Sequence, residues 1–141
     1  MKYMLLMQFS AKDLDIPKVE EWPIEDVRIH VRYMRDLNAE LNASGELVDA
    51  QGLAMPETAR IVRAGGGAPV VTDGPFPETK EWLAGWWIVD CAPGSDDDGD
   101  GGERRAIEIA AKVSAAPGPG GRPLDMPVEV RRIMSEPPVE V

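Results

Sequence analysis

The residue types that most directly suggest chemistry lie in Asp73-Gly74-Pro75-Phe76. A carboxylate at the end of a strand, held by a Gly-Pro turn, is placed to give or take a proton beside a cleft. Asp before Gly is equally an ordinary turn former whose side chain caps its own backbone, with Pro75 fixing the dihedral that follows. His30 is the only imidazole in the chain, and histidine is the side chain that changes charge near neutrality without special surroundings. It falls three residues after Val27 and four before Met34, beside an apolar helical stripe, so a half-buried structural histidine competes with a catalytic one. Lys80 is the only cation in Glu78-Thr79-Lys80-Glu81, where a polar ligand contact competes with a plain helix start. These three residues, Asp73, His30 and Lys80, are the candidate catalytic set.

Gly74, Pro75, Phe76, Tyr33, Trp82, Trp86 and Trp87 are the candidate ligand contacts. The aromatic members offer flat apolar surface with polar handles, which suits a planar hydrophobic molecule better than a sugar or a phosphate. For each Trp taken alone, packing in a core or an interface is the plainer role. Trp86 and Trp87 are adjacent, so in a strand they point to opposite faces, one under the helices and one outward.

These residues must be positioned by a small set of elements. Lys2 to Phe9 is almost wholly apolar and reads as the central strand of a sheet. Val27, Val31, Met34, Leu37 and Leu41 recur at helical spacing behind Trp22-Pro23, and Ser44-Gly45 stops that helix. Leu47-Val48 resumes a strand, with Gly52 marking a bulge or a close approach. Ala59 to Arg63 alternates like a half-buried strand, and Val70 to Thr72 returns as its hairpin partner across Gly65-Gly66-Gly67. That triple glycine lacks the spacing and the following Lys and Ser or Thr of a phosphate loop. Glu78 to Leu83 reads as a short helix or turn and Gly85 to Ala92 as a strand. Glu103 to Val113 reads as a second helix with Ala106, Ile107, Ala110, Ala111 and Val113 on its apolar face, and Val128 to Met134 as a last strand.

The order strand, helix, strands, helix, strand fits an α+β domain in which two helices cover one face of an antiparallel, ferredoxin-like sheet. With 141 residues, 43% hydrophobic and 28% charged, one domain spanning residues 1–141 is the expected organisation. It is interrupted by an acidic, Gly-rich loop at 93–102 and a Pro/Gly-rich loop at 117–127. The apolar character of both faces of the central strands predicts a homodimer formed through the uncovered face, with a cleft at the interface.

A net charge of -10 without a basic cluster disfavours nucleic acid as a partner. The acidic loop does not keep the register of a calcium-binding loop, so it reads as solvated, and no metal site is expected. The lone Cys91 lies in an apolar strand context and fits a buried thiol in a reducing cytoplasm. The opening apolar run is too short for a signal peptide, and nothing approaches the length of a membrane span. No cofactor motif is present, and none is expected.

Val71-Thr72-Asp73-Gly74-Pro75-Phe76-Pro77-Glu78-Thr79-Lys80-Glu81, running on to Gly85-Trp86-Trp87, resembles the signature of the YCII-related family in its DGPF-domain branch. The opening Met1 to Leu6, Leu47-Val48-Asp49 with Gly52-Leu53, and Pro127 to Arg131 resemble the same family. The resemblance implies a ferredoxin-like subunit that dimerises as an α+β barrel, within a superfamily of small cofactor-free oxygenases, isomerases and dehydrochlorinase-like enzymes. Some members of the family pair a first-helix His with an Asp. An ungapped comparison sets that His near Met34, and His30 stands one turn earlier. Two functions follow as expectations. One is a cofactor-independent enzyme, of isomerase or lyase type, working by acid/base chemistry on a hydrophobic small molecule in a dimer cleft. The other is a noncatalytic ligand-binding or interaction protein, an accessory to an extracytoplasmic-function sigma-factor system.

Overall fold

Strand β1 (Lys2–Ser10) runs through the middle of the sheet, hydrogen-bonded on both sides in the computed structural model, which describes residues 1–10, 19–74, 81–92, 101–137 and 139. Helix α1 (Ile24–Ala43), β2 (Leu47–Gly52), β3 (Arg60–Arg63), β4 (Val70–Asp73), β5 (Glu81–Asp90), α2 (Glu103–Ser114) and β6 (Val128–Arg132) follow. Four of the strands make one antiparallel sheet in the order β2-β5-β1-β6, the ferredoxin-like arrangement expected from the sequence, while β3 and β4 pair only with each other. That hairpin is an insertion between β2 and β5, and it departs from the expected half-buried strand: Val62 is 59% and Val71 57% exposed.

Alternation along β1 sends Tyr3, Leu5 and Met7 to the helix side, where they are buried with Trp87, Val89, Leu37, Leu41 and the inner face of α2. On α1 the buried stripe passes through Val27, His30, Met34, Leu37 and Leu41, whereas Val31 is exposed. The expected stripe was rotated at its start, because His30, not Val31, continues the spacing back from Met34. On α2 the buried residues are Ala106, Ile109, Ala110 and Val113. Ile107 is exposed, since it stands a quarter turn away from the line through 106, 110 and 113.

One further expectation needs correction, and another is met in one of its two forms. Glu81 to Leu83 belong to β5 rather than to a helical turn. The bulge in β2 falls between Leu47 and Asp49, while Gly52 sits at a close strand approach opposite Gly85. Residues 75–80 and 93–100, including Pro75, Phe76, Lys80 and most of the acidic loop, lie outside the described residues.

Helix α2 is fixed at its start by Gly102, whose φ of +94° and approach to Cys91 leave no room for a side chain: a Cβ would lie 2.5 Å from the Cys91 carbonyl oxygen. Burial pushes the Cys91 thiol up to about 11, so it is a core group and not a nucleophile. The Arg105 guanidinium reaches across to Glu46 with Nε and Nη2 each donating at 2.9 Å, and this pairing holds the Glu46 carboxyl below its ordinary range. A depressed carboxyl contributes stability above its unfolded value that is lost as pH falls through the folded one. Arg105→Met is therefore expected to cost about 1 to 2 kcal/mol at neutral pH. The difference from the parent protein should shrink as the pH is lowered through the depressed range of the Glu46 carboxyl, as measured by urea unfolding at neutral and acid pH; an undiminished difference in acid would show that Arg105 acts through packing alone.

Candidate functional site

Between α1 and the sheet the core does not close, and a cavity of about 410 Å³ remains. Its walls come from separate stretches: Met7 and Phe9 of β1, His30, Met34 and Asn38 of α1, residues 50–56 around the end of β2, residues 82–85 and Trp87 of β5, and Leu124 and Met126 before β6. Trp22, buried just ahead of α1, packs edge-on against the His30 ring with centroids 5.5 Å apart. Phe9 and Trp82 face each other from paired positions on β1 and β5, 6.0 Å apart.

The cavity has a defined polar pattern. Nδ1 of His30 is 2.9 Å from the Pro117 carbonyl oxygen. A carbonyl can only accept, so Nδ1 carries the proton and Nε2 of the neutral ring is the acceptor. Nε1 of Trp87 donates to Oδ1 of Asn38 at 3.0 Å. Indole nitrogen can only donate, which fixes the amide orientation and leaves both Asn38 Nδ2 protons as donors. Nε1 of Trp82 is buried without an acceptor among the described residues, a state that costs free energy until an acceptor arrives. His30 is the only ionisable side chain among the described lining residues.

Of the described candidates, the structure brings His30, Trp82 and Trp87 to this cavity and not Asp73, Gly74, Tyr33 or Trp86, while Pro75, Phe76 and Lys80 lie outside the described residues. Asp73 ends β4 on the outlying hairpin, with its side chain 89% exposed and Oδ1 3.5 Å from Nε of Arg60, the residue opposite it in β3. Gly74 is buried, packs against Ile61, and donates its N–H to the Ala59 carbonyl at 3.0 Å. The Tyr33 hydroxyl donates to the Lys112 carbonyl at 2.7 Å and ties α1 to α2. Trp86 alternates to the sheet face away from the helices, and Trp87 lies under them. Asn38 was missed by the sequence reading; its one signal is a polar side chain eight positions from His30, in line with Met34. Among the described residues no cluster of His, Cys, Asp and Glu could hold a metal ion.

A sequence profile of the YCII-related domain matches residues 1–96, which contain β1 through β5 and the α1 wall of the cavity. The chain belongs to the YCII-related family. A relative within reach of this YCII-related chain is an uncharacterised protein of Rhizobium meliloti (strain 1021), 41% identical over 64 residues, or 43% of this chain. The match spans about half (52%) of that relative's length.

Proposed function

We propose that this YCII-related protein binds a hydrophobic small molecule in the cavity between α1 and the sheet and moves a proton on it without a cofactor, with Nε2 of His30 as the base. The observation that carries this reading is the tautomer imposed by Pro117. The ring is anchored through Nδ1, so the lone pair of Nε2 is the one basic site among the described lining residues. Taking a proton from a carbon next to a carbonyl would give an imidazolium and an enolate, and returning it to a different atom completes an isomerisation. The base is positioned by a backbone carbonyl rather than by a carboxylate, which supports a second reading in which the cavity holds its ligand and does no chemistry. Asp73 takes no part in this proposal, because its carboxylate faces solvent and Arg60.

The two readings separate in one experiment. Deuterium exchange next to the carbonyl of a tetralone, followed by proton NMR, is expected to be accelerated by the protein. In His30→Gln the acceleration should fall about 100-fold or more, with Trp fluorescence still reporting binding of the ketone. Binding without any acceleration in the parent protein would remove the catalytic reading and leave the carrier.

The face of the sheet turned away from the helices is the surface we assign to a second copy. Met4, Leu6, Trp86 and Ile88 alternate onto it and are only half-buried in the single chain, a composition that favours cover by another apolar surface. Sedimentation equilibrium should give a dimer for the parent chain and a monomer for Trp86→Lys. A monomeric parent chain would refute the assignment.

A further inference from the structure

We infer that the cavity selects an uncharged, planar molecule two to three fused rings long, with a hydroxyl at one end and a carbonyl-type oxygen at the other. This rests on the reading of the cavity as a ligand site in its carrier form, since a ligand hydroxyl on Nε2 and a carbonyl at the far station leave no base beside the carbonyl, and it names the chemistry of what enters. Four observations carry it. First, none of the described lining residues is Asp, Glu, Lys or Arg, so a permanently charged ligand would lose its hydration with no opposite charge to receive it.

Second, three of the four tryptophans and four of the seven methionines in the chain, together with Phe9, line the space. Flat rings and polarizable thioethers favour the face and edge of an aromatic ring over a flexible alkyl chain. Third, the two polar stations on α1 are of opposite kind. His30 Nε2 accepts and asks for a ligand O–H, whereas Asn38 Nδ2 donates and asks for an oxygen, because its Oδ1 is already taken by Trp87. Fourth, His30, Met34 and Asn38 follow one another at four-residue intervals along α1. The two stations are thus about 12 Å apart along the helix axis, with an apolar side chain between them. A single ring touches one station, and a two- or three-ring system, with side chains leaning in from each end, reaches both. The cavity of about 410 Å³ has room for it.

The test is a matched set measured by quenching of Trp fluorescence at neutral pH and confirmed by thermal shift. A naphthol bearing an acetyl group on its far ring is the reference probe. The hydroxynaphthoate with a carboxylate in place of the acetyl group keeps the rings and adds a charge; its expected affinity is at least about tenfold lower. The methyl ether of the reference loses the O–H, and a hydroxyacetophenone loses one ring; each is expected to bind about tenfold or more weakly. A long-chain alkyl alcohol tests planarity and is expected to bind more weakly still. Asn38→Asp keeps the acceptor for Trp87 and removes the donors, and should weaken the reference probe while leaving the hydroxyl preference intact. Equal affinity for the carboxylate, or for the alkyl alcohol, would overturn this inference while the cavity reading stood. If no member of the set bound at all, the ligand-site reading itself would fall.

Discussion

Replacing Leu5 by Ala is expected to remove about 3 to 5 kcal/mol of folding stability. Leu5 has no exposed surface and sits mid-way along β1, facing Trp87 on one neighbouring strand and Val130 on the other. Helices α1 and α2 cover it from above through Leu41 and Ile109, which are equally inaccessible. Truncation there removes transfer free energy and leaves a void that strands fixed on both sides cannot move to fill, which is why the upper part of the range applies. Urea unfolding should show a lowered midpoint with an unchanged slope. A loss below about 1 kcal/mol would mean that the layer between β1 and the helices yields as easily as an open surface. The cavity would suffer less, because its nearest β1 residues are Met7 and Phe9, further along the strand.

The contrast between Leu5 and the cavity explains what the sequence could and could not tell. The central position of β1 was legible because an almost unbroken apolar run has few other places to go. The two helices were legible from spacing, although the stripe on α1 was misplaced at Val31 and that on α2 at Ile107, each an apolar residue beside the true line. The hairpin was legible as a hairpin from its glycine turn. Its separation from the main sheet was not, since pairing choice depends on which edge is free after folding. The cavity was the least legible feature. Its walls come from six stretches of chain that meet only in three dimensions, and no periodicity within one stretch marks them.

Asp73 and Asn38 show the same limit from opposite directions. Turn chemistry around Asp73 and Gly74 foretold a conformation that runs on into residues outside those described, and the Gly74 N–H continues the β3–β4 ladder to the Ala59 carbonyl. A turn motif carries no information about which way the turn faces, and here the carboxylate faces Arg60 and water. Asn38 had no motif at all, yet the acceptor requirement of a buried indole N–H gave it a partner that fixes its orientation. His30 lies between these cases. Its type suggested chemistry, its place on the helix suggested burial, and the structure half-buries it on a cavity wall with Nδ1 held by the Pro117 carbonyl.

Gly85→Ala is expected to cost about 1 to 3 kcal/mol and to weaken ligand binding, whereas Gly52→Ala, at the residue paired with it, should be neutral or stabilising. Glycine in a strand interior ordinarily costs ~0.5–1 kcal/mol relative to Ala through lost backbone entropy, so both substitutions start with a gain. At Gly52 nothing within 4 Å meets the new methyl, and the gain is kept. At Gly85 the methyl carbon would lie 2.7 Å from the Gln51 carbonyl oxygen and 3.3 Å from Cα of Gly52. Both obstacles are backbone, so relief requires β2 to move away from β5 rather than a side chain to swing aside. Gln51, Gly52 and Gly85 all line the cavity, and a displaced β2 would carry part of the wall with it. Equilibrium unfolding should therefore rank Gly52→Ala at or above the parent chain and Gly85→Ala well below it, with the naphthol probe weakened only in the second. Equal effects at the two positions would show that the β2–β5 approach is looser than these distances imply, and that the cavity wall is not held by it.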